Sequence, residues 1–348
     1  MSTAATAAID VICPAWNRSE AIRPTIDSVL AQTFEDWRLI VVSDGCTDDT
    51  DDVVRSYEDE RVQLIRTERH GHPGGPRNIG LAASTAPAIA YLDYDDEWLP
   101  DHLAVLRREF DAGARLVATA SIGMNDKGEE EYRSHPLNGL WHPDLQLLWP
   151  LYEPSRVGHV RGLPESVGGW TTEQTGMEDW DLWLRLSDAG ERFTTVLDRT
   201  VRMHLSDTSR RHTMAVRHRL DLGTLPDEAA CTKLTEAIET PAVQDELRAS
   251  FAGEMLRFYR SIAEAGELVT PRGMTYDEAL TGLEKFVTDA AVPMLRELTF
   301  AEEEGGFAVV HPLQCASERH AERLREFLLL RDAGRHAIVR RLIAAVSA

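Results

Sequence analysis

Ala88-Ile-Ala-Tyr-Leu-Asp-Tyr-Asp-Asp-Glu-Trp-Leu-Pro100 sets a short apolar run directly against the aspartates Asp93, Asp95 and Asp96. Ala88 to Leu92 reads as a buried strand, and the acidic residues as the loop that leaves it. Carboxylates this close repel one another unless they are solvated or a cation sits among them. Hard oxygen ligands suit Mg2+ or Mn2+, and Mg2+ binds through one or two carboxylates completed by substrate phosphates. The same residues also suit an acidic helix start, with Asp96 and Glu97 ahead of Leu99-Pro100. A phosphatase with an aspartate nucleophile also uses Asp-x-Asp after a strand, but no supporting lysine and threonine motifs accompany it here.

Working outward, the first hundred residues alternate strands and helices. Ile9-Asp-Val-Ile-Cys13, Arg38-Leu-Ile-Val-Val42 and Val62-Gln-Leu-Ile65 read as further strands. Between them lie a helix with Ile22, Ile26, Val29 and Leu30 on one face and Ser19 as its cap, and a helix opened by Asp48 and Asp49. A third helix, from about Arg77 to Ser84, follows the glycine-rich loop His70-Gly-His-Pro-Gly-Gly-Pro76, which reads as flexible. This alternation predicts a mostly parallel sheet with helices on both faces. Ligands of such sheets bind beyond the carboxyl ends of the strands. The loops there are Pro14-Ala-Trp16-Asn17, Ser43-Asp44-Gly45 and Asp93-Tyr-Asp-Asp96. A helix is predicted from Glu178 to Ala189 and a strand near Phe193 to Val201. Beyond Leu225-Pro226 the pattern is helical, ending in one long helix from about Ser317 to Ala345. The domains predicted are residues 1–220 and a helical 221–348.

Composition narrows the classes. The chain has 348 residues, with 37 Lys and Arg against 58 Asp and Glu, a net charge of −21. That opposes nucleic-acid binding, which needs a basic footprint, and docking on anionic membranes. No apolar run approaches the roughly 20 residues of a membrane span. Met1 to Asp10 lacks the basic flank and apolar stretch of a signal peptide, so a cytoplasmic location is expected. Cys13, Cys46, Cys231 and Cys315 form no C-x-x-C pair and read as free packing residues.

Seven segments in order carry a resemblance. They are Val11-Ile-Cys-Pro-Ala-Trp-Asn17, Ser28-Val-Leu-Ala-Gln-Thr-Phe34, Val41-Val-Ser-Asp-Gly-Cys-Thr-Asp48, Arg77-Asn-Ile-Gly80, Tyr91-Leu-Asp-Tyr-Asp-Asp-Glu-Trp-Leu-Pro100, Gly168-Gly-Trp170 and Gly176-Met-Glu-Asp-Trp-Asp-Leu-Trp-Leu-Arg-Leu186. Together they resemble the family 2 glycosyltransferases of the GT-A fold, over about residues 8–206. The resemblance implies an α/β, Rossmann-like, mostly parallel sheet. It also implies metal-dependent, inverting transfer from a nucleotide-diphosphate sugar, most often a UDP-sugar, to a hydroxyl of a small-molecule or glycan acceptor.

The resemblance assigns roles residue by residue. Asp95 would hold the metal (Mn2+ or Mg2+), and His204 would complete its coordination. Asp93 would lie near the ribose or metal. Pro14, Trp16 and Asp44 would form the nucleotide pocket, with Trp16 standing where the family usually has tyrosine and Asp44 accepting a hydrogen bond from the base. Arg77 would lie near the nucleotide. Asp179 of Glu178-Asp179 would be the general base, although a helix N-terminus lowers a carboxylate's basicity. Each has a plainer reading: Trp16 in the core, Asp44 as a turn residue, Arg77 as a surface or capping residue, Asp179 as an acidic helix start, His204 as structural. Arg202, Arg210, Arg211, Arg217 and Arg219, with His212 and His218, suggest either a lid over donor phosphates or a solvated linker. Trp141, Trp149, Tyr132 and Tyr152 are candidates to stack on an acceptor. The helical tail is a candidate for shaping the acceptor site or forming a homodimer. Two other classes compete. One is a catalytically silent sugar-nucleotide or carbohydrate-binding protein, against which the intact Asp93, Asp95 and Asp179 argue. The other is a nucleotidyltransferase, against which the lack of a glycine-rich basic loop at residues 13–19 argues.

Overall fold

A computed structural model describes residues 7–173, 176–204, 218–288, 294–295 and 297–347. The chain divides into two compact units, Met1–Met214 with Val269–Gly273, and Ala215–Leu268 with Met274–Ala348.

The first unit is built on a nine-stranded sheet. Its strands are β1 (Ile9–Ala15), β2 (Trp37–Asp44), β3 (Val62–Thr67), β4 (Ala88–Tyr91), β5 (Glu97–Trp98), β6 (Leu116–Met124), β7 (Glu130–Arg133), β8 (Val157–Val160) and β9 (Thr194–His204). They lie in the order β3-β2-β1-β4-β8-β6-β9-β5, with β7 beside β6. β1, β2, β3 and β4 pair in parallel, β8 is antiparallel to both its neighbours, and β6 pairs with β9 in parallel. The chain leaves β1 toward β2 and β3, then returns to its other side as β4. That reversal opens a crevice at the carboxyl ends of β1 and β4, where open α/β sheets bind ligands.

Burial on both faces explains why β1, β2 and β4 read as continuous apolar runs. Ile9, Val11, Leu39, Val41, Ala90 and Leu92 share one core cluster. Asp10 is buried among them. Arg38 donates to it at 2.9 and 2.7 Å, and the backbone N–H groups of Thr85 and Ala86 donate at 2.7 and 2.9 Å. A buried charge is tolerated when paired and hydrogen-bonded in this way.

Helix α1 (Ile22–Leu30) buries Ile22, Ile26 and Val29, the face its periodicity predicts. Ser19 does not cap it; the Ser19 N–H donates to Asp48 instead. Helices α2 (Thr50–Arg55), α3 (Gly74–Ala83), α4 (His102–Asp111), α5 (Pro143–Leu148), α6 (Leu163–Ser166) and α7 (Glu178–Asp188) complete the unit. α3 starts three residues earlier than its apolar pattern predicts, because Gly74 and Gly75 are helical. Around α7, Trp141, Tyr152, Trp170, Trp180, Trp183 and Phe193 are buried. Trp183 Nε1 donates to the Tyr152 carbonyl at 2.9 Å, so its polar edge is satisfied. Trp141 and Tyr152 are therefore core, not acceptor platforms, whereas Trp149 and Tyr132 are exposed.

The second unit holds α8 (Glu228–Glu239), α9 (Pro241–Glu264), α10 (Tyr276–Val287), α11 (Glu318–Arg331) and α12 (Ala333–Ser347). It is helical as expected, but it also contains a three-stranded antiparallel sheet of β10 (His218–Leu225), β11 (Thr299–Glu303) and β12 (Gly306–Leu313). The predicted single last helix is two. The break falls at Asp332, whose buried carboxylate pairs with Arg331 and Arg335. The four cysteines are free, and Cys13, Cys46 and Cys231 are buried. No helix among the described residues is long and apolar enough to cross a membrane.

Candidate active site

The loop after β4 is a tight turn rather than a helix start. The Asp96 N–H donates to the Asp93 carbonyl at 3.1 Å, and the short strand β5 follows. Asp96 is buried and structural. It accepts from the Ser155 hydroxyl at 2.5 Å and from the His204 N–H at 3.1 Å. Burial and the charges of Asp95 and Asp93 push its carboxyl well above the usual range. Asp95, by contrast, is accessible to solvent. It makes no ion pair among the described residues, and partial loss of hydration beside Asp93 raises it to about 6.

Arg77, on α3, is 2% exposed and joins the two acidic ends of the crevice. Its Nη2 donates to Asp93 at 2.7 Å and its Nη1 to Glu178 at 3.2 Å. The guanidinium lies 4.4 Å from the centre of the Trp170 ring. Asn78 holds Trp170 in place by accepting from its N–H and donating to its carbonyl, both at 2.8 Å. Two carboxylates compensate the burial of the guanidinium, and its pKa stays raised. Arg77 is thus neither exposed nor a helix cap. It is a buried bridge between the Asp93 loop and the start of α7.

Asp179 sits in the first turn of α7, after Met177 in a left-handed conformation at φ 59°. Its Oδ1 accepts the Trp180 N–H at 2.7 Å. The helix terminus alone would lower its pKa. Burial and the neighbouring charge of Glu178 outweigh that, as well as the pull of Arg77, and hold Asp179 up at about 7. The electrostatics therefore run opposite to the sequence expectation and suit a base at neutral pH.

On the other side of β1, Pro14 is buried and registers with Val42 of β2, while Trp16 emerges 41% exposed. Trp16 is therefore not a core residue. Asp44, at the end of β2, is buried and accepts from the His70 N–H at 2.7 Å, from His70 Nδ1 at 3.0 Å and from the Gly71 N–H at 3.2 Å. It also pairs with Arg69. The loop after β3 is thus pinned at His70 rather than free. Gly45, at φ +67°, makes this possible: a Cβ there would lie 2.8 Å from the Arg69 nitrogen.

Among the described residues, no three His, Cys, Asp or Glu side chains assemble as a metal site. The His204 ring contacts Glu97 at 3.0 Å. An accessible Asp95 beside Asp93 fits a hard cation whose remaining ligands come from a bound diphosphate. Of the arginine-rich segment, Arg210, Arg211, His212 and Arg217 lie outside the described residues.

Residues 10–167 match the family model described as "Glycosyl transferase family 2". That match takes in β1 to β8, and with them the Asp93–Asp96 turn, Arg77 and Asp44, but not Asp179. Among curated relatives, the "Putative teichuronic acid biosynthesis glycosyltransferase TuaG" of Bacillus subtilis is 36% identical over 97 residues, 27% of this chain and 38% of that protein. The "UDP-Glc:alpha-D-GlcNAc-diphosphoundecaprenol beta-1,3-glucosyltransferase WfgD" of Escherichia coli is 35% identical over 95 residues, again 27% and 38%. The chain thus spans well under half the length of these relatives. The crystal structure of S. aureus TarS 1-349 in complex with UDP-GlcNAc shares the fold, with a TM-score of 0.51 at 17% identity over 66% of each chain.

Three contributors to the candidate site were not foreseen from the sequence. Ser155, in the turn just before β8, holds the Asp93–Asp96 turn, Trp170 backs Arg77, and Arg69 covers Trp16. Trp170 carried a signal, since Gly168-Gly-Trp170 is part of the family pattern. Ser155 and Arg69 carried none, because their partners are remote in sequence.

Proposed function

We propose that the protein transfers a sugar, with inversion, from a nucleotide-diphosphate sugar to an acceptor hydroxyl. One observation carries this reading: Asp179, a carboxylate held near neutral pKa, is wired through Glu178 and Arg77 to the Asp93–Asp95 turn at the sheet's reversal point. An acceptor's incoming oxygen needs a base on one side of the anomeric carbon. The leaving diphosphate needs its charge neutralised on the other.

Asp179 takes the acceptor's proton as that oxygen bonds to the anomeric carbon. The bond from that carbon to the diphosphate oxygen breaks, and the electron pair leaves with the nucleoside diphosphate. Arg77 keeps Glu178 and Asp93 from repelling one another and so fixes the distance between base and donor. Pro14, Trp16 and Asp44 receive the base, with Trp16 offering a ring face and Asp44 an acceptor oxygen. Asp95 holds a divalent cation (Mn2+ or Mg2+), which when bound neutralises the charge developing on the diphosphate. His204 joins that shell only on leaving Glu97. A UDP-sugar is the donor we favour, since the name of the relative WfgD carries UDP-Glc. The second unit, Ala215–Leu268 with Met274–Ala348, serves the acceptor or self-association.

Thermal unfolding of the wild type and Asp95→Ala with UDP, GDP, dTDP and CDP, with and without Mn2+, tests the reading. A ligand at 100 times its Kd stabilises by about 2.7 kcal/mol. The expected result is a Mn2+-dependent shift with one nucleotide, reduced in Asp95→Ala. No shift with any nucleotide would reject donor binding.

A further inference from the structure

Two of the three residues expected to receive the base, Trp16 and Asp44, are engaged by one side chain. The Arg69 guanidinium lies 3.8 Å from the centre of the Trp16 ring, at stacking distance, and the same group pairs with Asp44. We propose that Arg69 sets donor affinity: its guanidinium occupies the base subsite, and a nucleotide binds by displacing it. This rests on the glycosyltransferase reading, through Trp16 and Asp44.

The surrounding geometry makes displacement a side-chain event. Asp44 keeps three other contacts, with the His70 N–H, His70 Nδ1 and the Gly71 N–H, so its buried carboxylate is not stranded when Arg69 leaves. The Arg69 backbone is held against Gly45, whose missing side chain lets the two segments meet. The Arg69 side chain is 37% exposed, so water can receive the guanidinium as it swings out. A planar base can then replace the planar guanidinium on the indole, and a base N–H can replace the guanidinium N–H at Asp44. The occupant and the ligand compete for the same two contacts, so the strength of the Arg69 contacts is subtracted from nucleotide affinity.

Titration calorimetry of UDP, GDP, dTDP and CDP, with Mn2+ present, against the full-length wild type, Arg69→Ala and Arg69→Lys tests this. Unfolding curves without ligand first establish that each variant is folded. An exposed cation–π contact together with a partly exposed ion pair predicts that Arg69→Ala binds the preferred nucleotide roughly three- to tenfold more tightly. Arg69→Lys keeps a charge beside Asp44 but loses the flat stack, and is expected to fall between the two. If the wild type binds a nucleotide and Arg69→Ala binds it equally or more weakly, Arg69 is a wall of the pocket and the proposal fails alone. If neither the wild type nor Arg69→Ala binds any of the four nucleotides, the proposal fails together with the glycosyltransferase reading.

Discussion

Asp179 and Arg77 depend on each other in ways that can be measured. With Asp179 raised to about 7 by burial and by Glu178, the fraction able to accept a proton grows as pH climbs through that value. Log kcat/KM is expected to rise with unit slope below about pH 7 and level off above it; an acid limb near 4 would remove Asp179 from the role. Asp179→Asn should lower kcat about 10²- to 10⁴-fold. The same substitution has a linked effect on stability. A carboxyl raised in the folded state loses stability between the ordinary carboxylate pKa and its own, so the charged form is disfavoured above pH 7. Asp179→Asn should therefore raise Tm at pH 8, by a gain on the order of 1 kcal/mol, and change little at pH 4, where both side chains are neutral. Arg77→Gln removes the cation that pulls Asp179 down. The acid limb should move to higher pH, and stability should fall by about 3–5 kcal/mol because Asp93 and Glu178 lose the buried cation they share. A pH-rate profile unchanged in Arg77→Gln would make the bridge merely structural. At this scale the sequence exposed Asp93, Asp95 and Asp179, because carboxylates at the ends of apolar runs are visible along the chain. It did not expose the position of Arg77, whose burial comes from segments 16 and 101 residues away in sequence.

The elements are held by contacts that tolerate little change. Gly80 puts α3 directly on β1: a Cβ there would lie 2.5 Å from Cγ2 of the fully buried Ile12. Gly80→Ala should cost about 1–3 kcal/mol by overpacking, read as a drop in the denaturation midpoint. Ile12→Val in the same chain removes Cδ1, at 3.1 Å from that Cβ, and should recover part of the loss. A purely additive double mutant would mean the two do not meet. Trp183→Ala, in the cluster under α7, should cost about 3–5 kcal/mol. The strands β1 to β4 were legible because burial on both faces leaves continuous apolar runs. The hairpin of β11 and β12 was not. Its first strand ends in Glu302 and Glu303, which hide the alternation, although Gly305-Gly306 is a turn signal in plain view. The end of α11 was hidden for a different reason: the apolar spacing runs on past Asp332, and the break rests on how that residue's charge is paired.

For the whole molecule, the net charge of −21 opposes binding to polyanions but does not bear on fold. The first unit, moreover, is not a continuous stretch of chain. Val269 and Trp141 exchange backbone hydrogen bonds at 2.8 and 3.0 Å, the Arg272 N–H donates to the Thr195 carbonyl at 2.8 Å, and its side chain reaches the buried Glu109 at 2.6 Å. Pro271 sits where a Cβ on Gly139 would be, 2.6 Å away. Val269→Pro removes one donor from that pairing and should destabilise the first unit by about 1–3 kcal/mol, visible in its tryptophan fluorescence on heating. Nothing in the local pattern of residues 269–273 marks them as part of the first unit, because a five-residue graft has no periodicity to read. The consequence appears while the protein is being made. A chain emerging from the ribosome can assemble β1 to β9 as soon as His204 is free, but Trp141 waits for its partner until Gly273 has followed. The nascent first unit must therefore hold an incomplete surface through the synthesis of β10, α8 and α9.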